Sequence, residues 1–469
     1  MVTEHDGIQD LTERFLDHSY ATDYADFSDA VVQRAHHRII DGLGNILVGH
    51  QASGTQELID MIAGWGGRED ATILGDGRKV PAHHAAMANA ILMRSYDFEP
   101  VGAEGPGKRQ IAAHITGTTL PVALAIGERE GSTGREILTA LLVGEDIAAR
   151  LAFGSGFDVY SGQDNTGTVN GIGATIIAAL LMNLTRQQTR HALGIVTNQL
   201  AGTVEAIFDQ TSAFKLPMAF AARNAIMAAE MAAAGVTGPT DQVQGKFGFV
   251  SIYCANPNTQ VMVEALGEEY YADSVIKPWS CCRAAQPSLD ATLQLRQTLQ
   301  LDAAALDDIS SVRVHVTPRT AAGFVGKPFS VGECAEVSAA FSIHYTTAAA
   351  LVHGTMRPEH MTLEATQDPR VSELLERIEI VGSLDPHEVL TARVEITTSN
   401  GTQAQRVDTP LGDVYHRPLT EEQIHQKFFA NVDYSQRLSA ESAQGVVQTV
   451  PVLHNHASLT ELLSLLNSH

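Results

Sequence analysis

Apolar residues at helical spacing dominate the first half of the chain. Between residues 35 and 235 they recur every three or four positions among many alanines. The segments are AHHRIIDGLGNILVG, AAMANAILMRSY, TLPVALAIGERE, REILTALLVGEDIAARLA, GATIIAALLMNL and AFAARNAIMAAEMAAAG. Small side chains let helices approach closely, so this pattern predicts a compact helical domain with several buried central helices.

The pattern changes near residue 270. ISSVRVHVTP and RIEIVGS alternate apolar and polar residues, and ARVEITTSNGTQAQRVDTP predicts a hairpin that turns at Asn400-Gly401. The helical segments PSLDATLQLRQTLQ and SAAFSIHYTTAAALVHG lie among these strands, and TEEQIHQKFFANV is helical again. We therefore predict a mainly α protein with an α+β second domain. A large all-helical domain is formed by both chain ends, residues 1–268 and 408–469, and the smaller inserted α+β domain covers residues 269–407.

Length, charge and cysteine content restrict the classes of function. A chain of 469 residues exceeds the usual size of one domain. Its formal net charge of -23 argues against sequence-independent binding to nucleic acid or to a membrane. Four cysteines, with Cys281 next to Cys282, do not suit a disulfide framework. MVTEHDGIQDLTERF lacks a signal-peptide pattern and no segment has the apolar length of a membrane span, so we expect a soluble, cytoplasmic protein.

The stretch SYDFEPVGAEGPGKRQIAAHITGTTLP, residues 95–121, concentrates charged residues around glycines. Asp97, Lys108, Arg109 and His114 lie within it. One interpretation is a solvated loop, because glycine, proline and charge are typical of surface connections. The other is a substrate loop, in which Lys108 or Arg109 attracts an anion and His114, with an ordinary pKa of about 6.5, transfers protons.

Other motifs argue against metal and nucleotide chemistry. GTVNGIG and GWGG are rich in glycine, but neither follows a strand in a βαβ unit, and close helix packing explains them better. The pair Cys281-Cys282 lacks the spaced partners of a zinc site, and the doublets His36-His37 and His83-His84 lack a carboxylate-bearing metal motif. We predict neither a metal nor a cofactor.

Five segments occur in an order that resembles the MmgE/PrpD family. They are ANAILMRSYDFEP, HITGTTLPVALAIGE, NTGTVNGIGATIIAALLMNL, KLPMAFAARNAIMAAEMAAAGVTGPTDQVQGKFGFV and IKPWSCCRAAQPSLDATLQL. The resemblance spans nearly the whole chain. That family contains 2-methylcitrate dehydratases, cis-aconitate decarboxylases and an iminodisuccinate epimerase. The resemblance implies a homodimer, an α+β domain that acts as a lid, and a cleft between the domains that works without metal.

The resemblance also implies site residues. Asp97 matches the first acid of the family motif DFDD, and His114 matches the histidine of HPS. Asp97 could orient the imidazole or act on the substrate directly. Lys215 in AFKLPMAF and Lys277 in IKPWSCC resemble family lysines, which we expect to face substrate carboxylates. In its apolar run Lys215 either reaches outward to solvent or pairs with an anion.

The chain also departs from the family pattern. Asp164 in QDNTGT takes the place of a histidine, and Glu99 and Pro100 replace the second half of DFDD. Phe324 stands where the decarboxylases have a tyrosine. The predicted catalytic residues are His114, Asp97, Asp164, Lys215 and Lys277. The predicted substrate-binding residues are Lys108, Arg109, Arg283 and Thr166.

The favoured function is a cofactor-free lyase of the 2-methylcitrate dehydratase type, which acts on a small anionic di- or tricarboxylate by acid–base catalysis. The alternative is an epimerase of an iminodisuccinate-like diacid, and a second alternative is a non-catalytic, carboxylate-binding dimer. Asp164 and Phe324 count against cis-aconitate decarboxylation, because both family side chains are replaced.

Overall fold

The computed structural model describes residues 10–302 and 304–467. Residues 1–9 lie outside the described residues, and part of the expectation about a signal peptide rests on them. Residues 468–469, at the end of the predicted helical domain, also lie outside. No helix among the described residues combines the length and the apolar character needed to cross a bilayer.

The first part of the chain is helical, as the apolar spacing predicts. Each of the six segments quoted above forms most of one long helix. The helices are α1 Leu11–Ala21, α2 Asp29–Gly49, α3 Thr55–Gly64, α4 Ala82–Arg94, α5 Thr116–Glu130, α6 Gly134–Gly154, α7 Val169–Leu181, α8 Arg186–Thr197, α9 Glu205–Phe208, α10 Leu216–Ala233 and α11 Phe249–Tyr253.

Glycine lets two of the central helices touch at their backbones. A Cβ atom on Gly144 of α6 would lie 2.6 Å from the carbonyl oxygen of Gly173 in α7 and 2.3 Å from Cγ1 of Ile177. Close packing therefore explains GTVNGIG, which contains Gly173. It does not explain all of GWGG, because a Cβ on Gly64 would meet nothing within 4 Å.

Five short strands, which the sequence did not predict, lie within the helical part. They are β1 Ala71–Thr72, β2 Lys79–Val80, β3 Val101–Gly105, β4 Arg109–Ile111 and β5 Asp273–Val275. Strand β1 pairs with β2, and the other three form an antiparallel sheet in the order β4-β3-β5. Because β5 pairs with β3 and Ile276 packs in the helical core, the structure favours a domain boundary after residue 276.

The second part contains a mixed sheet with helices beside it. Its elements are α12 Gln286–Thr298, β6 Ser311–Val316, α13 Pro318–Ala322, α14 Ala335–Ala340, α15 Ile343–His353, α16 Leu363–Thr366, α17 Pro369–Leu375, β7 Ile378–Gly382, β8 Ala392–Thr398 and β9 Gly401–Val407. The strand order is β7-β6-β8-β9, and β6 runs parallel to β7 only. The predicted hairpin is confirmed, although its turn is Ser399–Asn400 and Gly401 begins β9.

The chain end returns to the first helical part. Its helices are α18 Glu421–Ser435, α19 Ala440–Thr449 and α20 Thr460–Leu466. Helix α18 packs on α2, where the ring of Phe428 lies against Gly44. The predicted fold class is confirmed: the protein is mainly α with an α+β second domain, and both chain ends contribute to the helical domain.

We predict that Gly144→Ala destabilises the protein by about 1–3 kcal/mol, because the added methyl group overpacks the α6–α7 contact. Gly64→Ala is the matched control, since it places the same methyl group at an exposed end of α3 with open space around it. There the better helix propensity of alanine should stabilise the protein by up to ~1 kcal/mol. Urea unfolding measures both changes, and equal effects of the two substitutions would refute the close-packing account.

Candidate active site

A tight turn at the end of α4 presents two acidic side chains. The helix ends at Arg94, whose carbonyl accepts a hydrogen bond from the Asp97 backbone N–H at 3.2 Å. Asp97 has a φ of 49°, in the left-handed region that aspartate tolerates better than most residues. Buried lysines hold the turn's carbonyl groups: Lys277 Nζ donates to the carbonyl of Asp97 at 2.5 Å, and Lys427 Nζ to that of Phe98 at 2.8 Å.

Five side chains meet at this turn, and we call them the acid–base cluster: Arg94, Asp97, Glu99, His114 and Lys277. Arg94 Nη1 donates to Asp97 and, at 2.5 Å, to Glu99 Oε1. Lys277 Nζ lies 2.9 Å from Asp97 Oδ2. His114 Nδ1 lies 2.7 Å from Glu99 Oε1, whereas its Nε2 lies 3.9 Å from Asp97 Oδ1. Two carboxylates therefore face two cations, and Glu99 makes the close contact with the imidazole.

The histidine is the member of the cluster that reaches solvent. Its side chain is 15% exposed, whereas the other four side chains are at most 3% exposed. A molecule that enters this site therefore meets His114 first. The buried members set the charge around the imidazole and its orientation.

The surroundings favour a neutral imidazole. Burial and the nearby charge of Arg94 lower the pKa of His114, and the charge of Glu99 only partly offsets them. Burial opposes the charge of Glu99, but Arg94 and His114 outweigh it and lower the pKa of that carboxyl. Arg94 Nη1 also lies 3.2 Å from Nδ1 and 3.5 Å from Nε2 of His114. Because the carboxylate of Glu99 is the closer neighbour of Nδ1 and can only accept, we assign Nδ1–H as its donor, which leaves Nε2 as the basic site.

Lys215 is buried, so the interpretation that it reaches outward to solvent is wrong. Its Nζ lies 3.0 Å from Thr55 Oγ1 and 3.4 Å from Ser95 Oγ. Burial lowers its pKa, while Cys334 and Glu336 partly oppose the shift. Two hydroxyl groups take the place of an anionic partner, and among the described residues they account for two of the three N–H groups, which leaves one for a ligand.

Asp164 and Thr166 contact each other close to the cluster. Asp164 Oδ1 accepts hydrogen bonds from the Thr166 backbone N–H at 2.9 Å and from its hydroxyl at 2.7 Å. Burial opposes the charge of Arg94, but the charges of Glu99, Asp97 and Asp164 raise the pKa of its guanidinium. Asp164 therefore adds negative charge beside Arg94.

Arg283 is a buried guanidinium with spare donors. Its Nη1 donates to Gln286 at 3.1 Å, and its Nη2 is 3.9 Å from Asp413. Within the described part of the chain, Nε and Nη2 make no hydrogen bond. Burial lowers its pKa to about 10, so the group stays charged at neutral pH.

The structure does not bring Lys108 and Arg109 to the acid–base cluster. Both side chains are exposed at the β3–β4 hairpin. Lys108 Nζ lies over the ring of Tyr415, and Arg109 stacks on Phe153 and donates to the carbonyl of Pro106. Their assignment as substrate-binding residues remains a prediction from the sequence, without support from these contacts.

Two members of the acid–base cluster were not predicted as site residues from the sequence. Arg94 is the last residue of a well-predicted helix, and Glu99 was noted only as a departure from the family motif. Their spacing from Asp97, three residues before and two after, was the available signal. The turn after α4 joins them, and a turn of this kind is not encoded in helical periodicity.

Three of the clustered groups have the chemistry of metal ligands. Ligand atoms of Asp97, Glu99 and His114 lie within 4.8 Å of one another. The same carboxylates are already bound by Arg94 and Lys277, so a divalent cation would have to displace or repel these groups. The set fits a proton-transfer network better than a metal centre, and the absence of a metal remains a prediction.

The fold and the site define a two-domain, mainly helical protein in which a partly exposed histidine lies among buried carboxylates and cations. The chain matches the family model of the MmgE/PrpD N-terminal domain over residues 13–262 and that of the MmgE/PrpD C-terminal domain over residues 279–450. The protein belongs to the MmgE/PrpD family, as the resemblance of its motifs implied. Neither match covers residues 263–278, which contain both the predicted boundary after residue 268 and the position after residue 276.

Curated relatives match over almost the whole chain. Cis-aconitate decarboxylase of Homo sapiens is 24% identical, with 98% of this chain and 95% of the relative covered. Cis-aconitate decarboxylase of Mus musculus is also 24% identical, with coverage of 97% and 94%. Cis-aconitate decarboxylase of Aspergillus terreus is 23% identical, with coverage of 87% and 86%. The similarity extends over both domains.

We predict that His114 titrates with a midpoint below its ordinary value of about 6.5. Above that midpoint the imidazole is neutral, and it becomes charged only as the pH falls through it. Glu99→Gln should lower the midpoint further, because the negative charge of Glu99 favours the imidazolium. Histidine NMR titration, with His114→Asn to assign the signal, measures both.

Glu395→Gln is the matched control for this titration. Glu395 lies 3.4 Å from His315 in the second domain, so the substitution removes the charge of a different histidine–carboxylate pair. It should leave the His114 midpoint unchanged. A midpoint at or above 6.5, or one that does not respond to Glu99→Gln, would contradict the charge assignment.

Proposed function

We propose that this protein is a lyase that removes water from a small hydroxy-polycarboxylate by acid–base catalysis. The observation that carries the proposal is the partly exposed His114, whose Nδ1 lies 2.7 Å from Glu99 Oε1 and whose pKa is lowered by burial and by Arg94. Such a group can accept a proton through Nε2 from a carbon next to a carboxylate. Glu99 then stabilises the imidazolium that forms, as carboxylates do for other catalytic histidines.

The proton balance requires no other co-reactant. His114 Nε2 takes the proton from the carbon, the electron pair forms the new double bond, and the bond from the adjacent carbon to its hydroxyl group breaks. The imidazolium returns the proton to the departing hydroxyl, so that one water is released and His114 is neutral again. Negative charge that develops on the substrate carboxylate has to be held by cations nearby.

Two buried cations have free donors for substrate carboxylates. Lys215 has one N–H that its two hydroxyl partners leave free, and Arg283 has unpartnered Nε and Nη2 groups within the described residues. A buried donor without a partner is costly, so each gains by meeting an anion. Arg94 and Lys277 already neutralise Asp97 and Glu99, and we assign them to the geometry of the site.

Decarboxylation of a cis-aconitate-like substrate is the second candidate. The curated relatives carry that activity in their names, and a phenol lies next to Phe324, the position at which the resemblance places the tyrosine of the decarboxylases. The ring of Tyr160 lies 5.9 Å from that of Phe324. Ring contacts continue from Phe324 through Phe341 and Phe214 to Arg94 of the cluster.

The assembly and location are also proposals. We propose a cytoplasmic homodimer with a small anionic di- or tricarboxylate as its substrate and with no nucleic-acid or membrane partner. The net charge of -23 supports the last point. Exposed Phe220 and Met231 on α10 could contribute to an apolar dimer face.

We predict that the protein, incubated in D2O with methylcitrate, citrate, cis-aconitate and iminodisuccinate separately, gives alkene signals from a hydroxy-polycarboxylate when followed by NMR. Loss of a carboxylate carbon as CO2 would favour the decarboxylase. Deuterium in recovered iminodisuccinate without net product would indicate the epimerase, and no change in any substrate would support the non-catalytic alternative.

Substitutions test whether His114 is the base in the reaction. His114→Ala should lower turnover by about 10² to 10⁴, the usual contribution of a general base. Glu99→Gln should lower it by a smaller factor of about 10 to 100, with a nearly unchanged Michaelis constant, because the substrate does not contact this buried carboxylate. His315→Ala is the control, and a loss there as large as for His114→Ala would contradict the assignment.

A further inference from the structure

A cavity lies beside the turn that carries the acid–base cluster. It has a volume of about 260 Å³ and lies between α18 and the chain segments at Phe98 and Trp279. Its polar lining includes Lys427, Gln423 and Arg357. No member of the acid–base cluster lines it, so it is separate from the proposed substrate site.

The charge of this lining suits an anion. The described residues that line the cavity include a lysine and an arginine but no aspartate or glutamate, in a chain whose net charge is -23. Each cation has one carboxylate partner outside the lining: Asp41 lies 2.6 Å from Lys427 Nζ, and Glu359 lies 2.8 Å from Arg357 Nε. Amide groups of α18 add neutral hydrogen-bond donors.

Lys427 can turn one N–H group toward the cavity. Two of its three N–H groups are directed at Asp41 and at the carbonyl oxygen of Phe98, and the ammonium also lies over the ring of Phe98, so a ligand in the cavity would draw the third N–H away from that ring. Arg357 uses its Nε for Glu359, and its half-exposed guanidinium offers two further nitrogens. The two cations can therefore contact an oxyanion while keeping their carboxylate partners, Asp41 and Glu359.

The cavity is also connected to the catalytic turn. Phe98 lies between Asp97 and Glu99, its carbonyl is bound by Lys427, and the ammonium sits 3.6 Å from the centre of its ring. Trp279, two residues beyond Lys277, lines the cavity from the other side. An anion that reorients Lys427 would thus move the backbone that holds both carboxylates of the acid–base cluster.

We propose that this cavity binds a small oxyanion, a carboxylate or a phosphate, and that its occupancy adjusts the catalytic turn through Lys427 and Phe98. The volume is that of roughly nine water molecules at ~30 Å³ each, which suits a ligand of about ten non-hydrogen atoms or fewer. The site is additional to the substrate site, and the proposal does not depend on which reaction His114 catalyses.

Tryptophan fluorescence tests the proposal directly. The chain has two tryptophans, so Trp65→Phe leaves Trp279 as the single reporter on the cavity wall. In this background inorganic phosphate and succinate are titrated separately, against sodium chloride at matched ionic strength. We expect a saturable change in emission with at least one anion: phosphate alone would indicate a phosphate ligand, and succinate alone a carboxylate. The absence of a saturable change with both anions would overturn the proposal.

A charge placed in the lining distinguishes this cavity from other anion sites. Gln423 belongs to a capping box with Thr420 at the start of α18, and glutamate serves in that motif as well as glutamine. Gln423→Glu therefore keeps the helix start but adds a negative charge to the cavity. We expect the dissociation constant to rise about 10-fold or more.

Gln188→Glu is the matched control, because Gln188 forms the same capping box with Thr185 at the start of α8, away from the cavity. It should change the dissociation constant by less than about 2-fold, since exposed distant charges are screened. Equal weakening by both substitutions, or no weakening by Gln423→Glu, would overturn the assignment. As the test of coupling, saturating anion should shift the His114 NMR signal, and an unmoved signal would refute the link to the catalytic turn.

Discussion

Two carboxylates buried in one short turn are the constraint on which the site depends. Asp97 and Glu99 are almost completely enclosed, and an unpaired charge in such a place costs several kcal/mol. Arg94 and Lys277 supply the opposite charges from the end of α4 and from the segment after β5. Removing either cation would leave one cation to compensate two buried carboxylates, and removing one partner of a buried ion pair costs about 3–5 kcal/mol in other proteins. The ion pairs therefore connect α4, the turn that follows it and the segment after β5 of the small sheet.

The same ion pairs set the protonation state of His114. Burial and Arg94 work against the imidazolium, whereas Glu99 favours it and fixes Nδ1 as the donor. A base that is neutral before reaction, and whose charged form has a carboxylate in contact, suits proton removal from a weakly acidic carbon. Lys277 contacts Asp97 in the structure as it stands, so no domain movement is needed to bring this lysine to the site.

The repeating patterns of the sequence predicted the long helices and the hairpin, but no pattern predicted the turn that forms the acid–base cluster. Periodic alanine and leucine positions predicted the long helices, and alternation predicted the hairpin of β8 and β9, because these patterns extend over many residues. Asp97 and His114 were singled out from the charged stretch 95–121, and the family resemblance assigned both to the site. Arg94 and Glu99 were not predicted as site residues, because no sequence pattern marks them. They come together only through the left-handed backbone at Asp97.

Proximity in sequence does not bring Lys108 and Arg109 to the acid–base cluster. They precede His114 by only a few residues, but a hairpin intervenes, with Lys108 at a φ of 60°. Their side chains pack on the rings of Tyr415 and Phe153 at the surface. Strand pairing over such short lengths depends on β5, more than 150 residues further along the chain, and local patterns do not report on it.

A double-mutant cycle between Glu99 and His114 tests the central claim most directly, with turnover of the substrate identified by NMR as the readout. If Glu99 acts through the imidazole, Glu99→Gln lowers turnover in the wild-type background and has no further effect once His114 is alanine. If the two losses multiply, Glu99 acts independently of His114, and the account of an oriented, neutral histidine as the base is wrong.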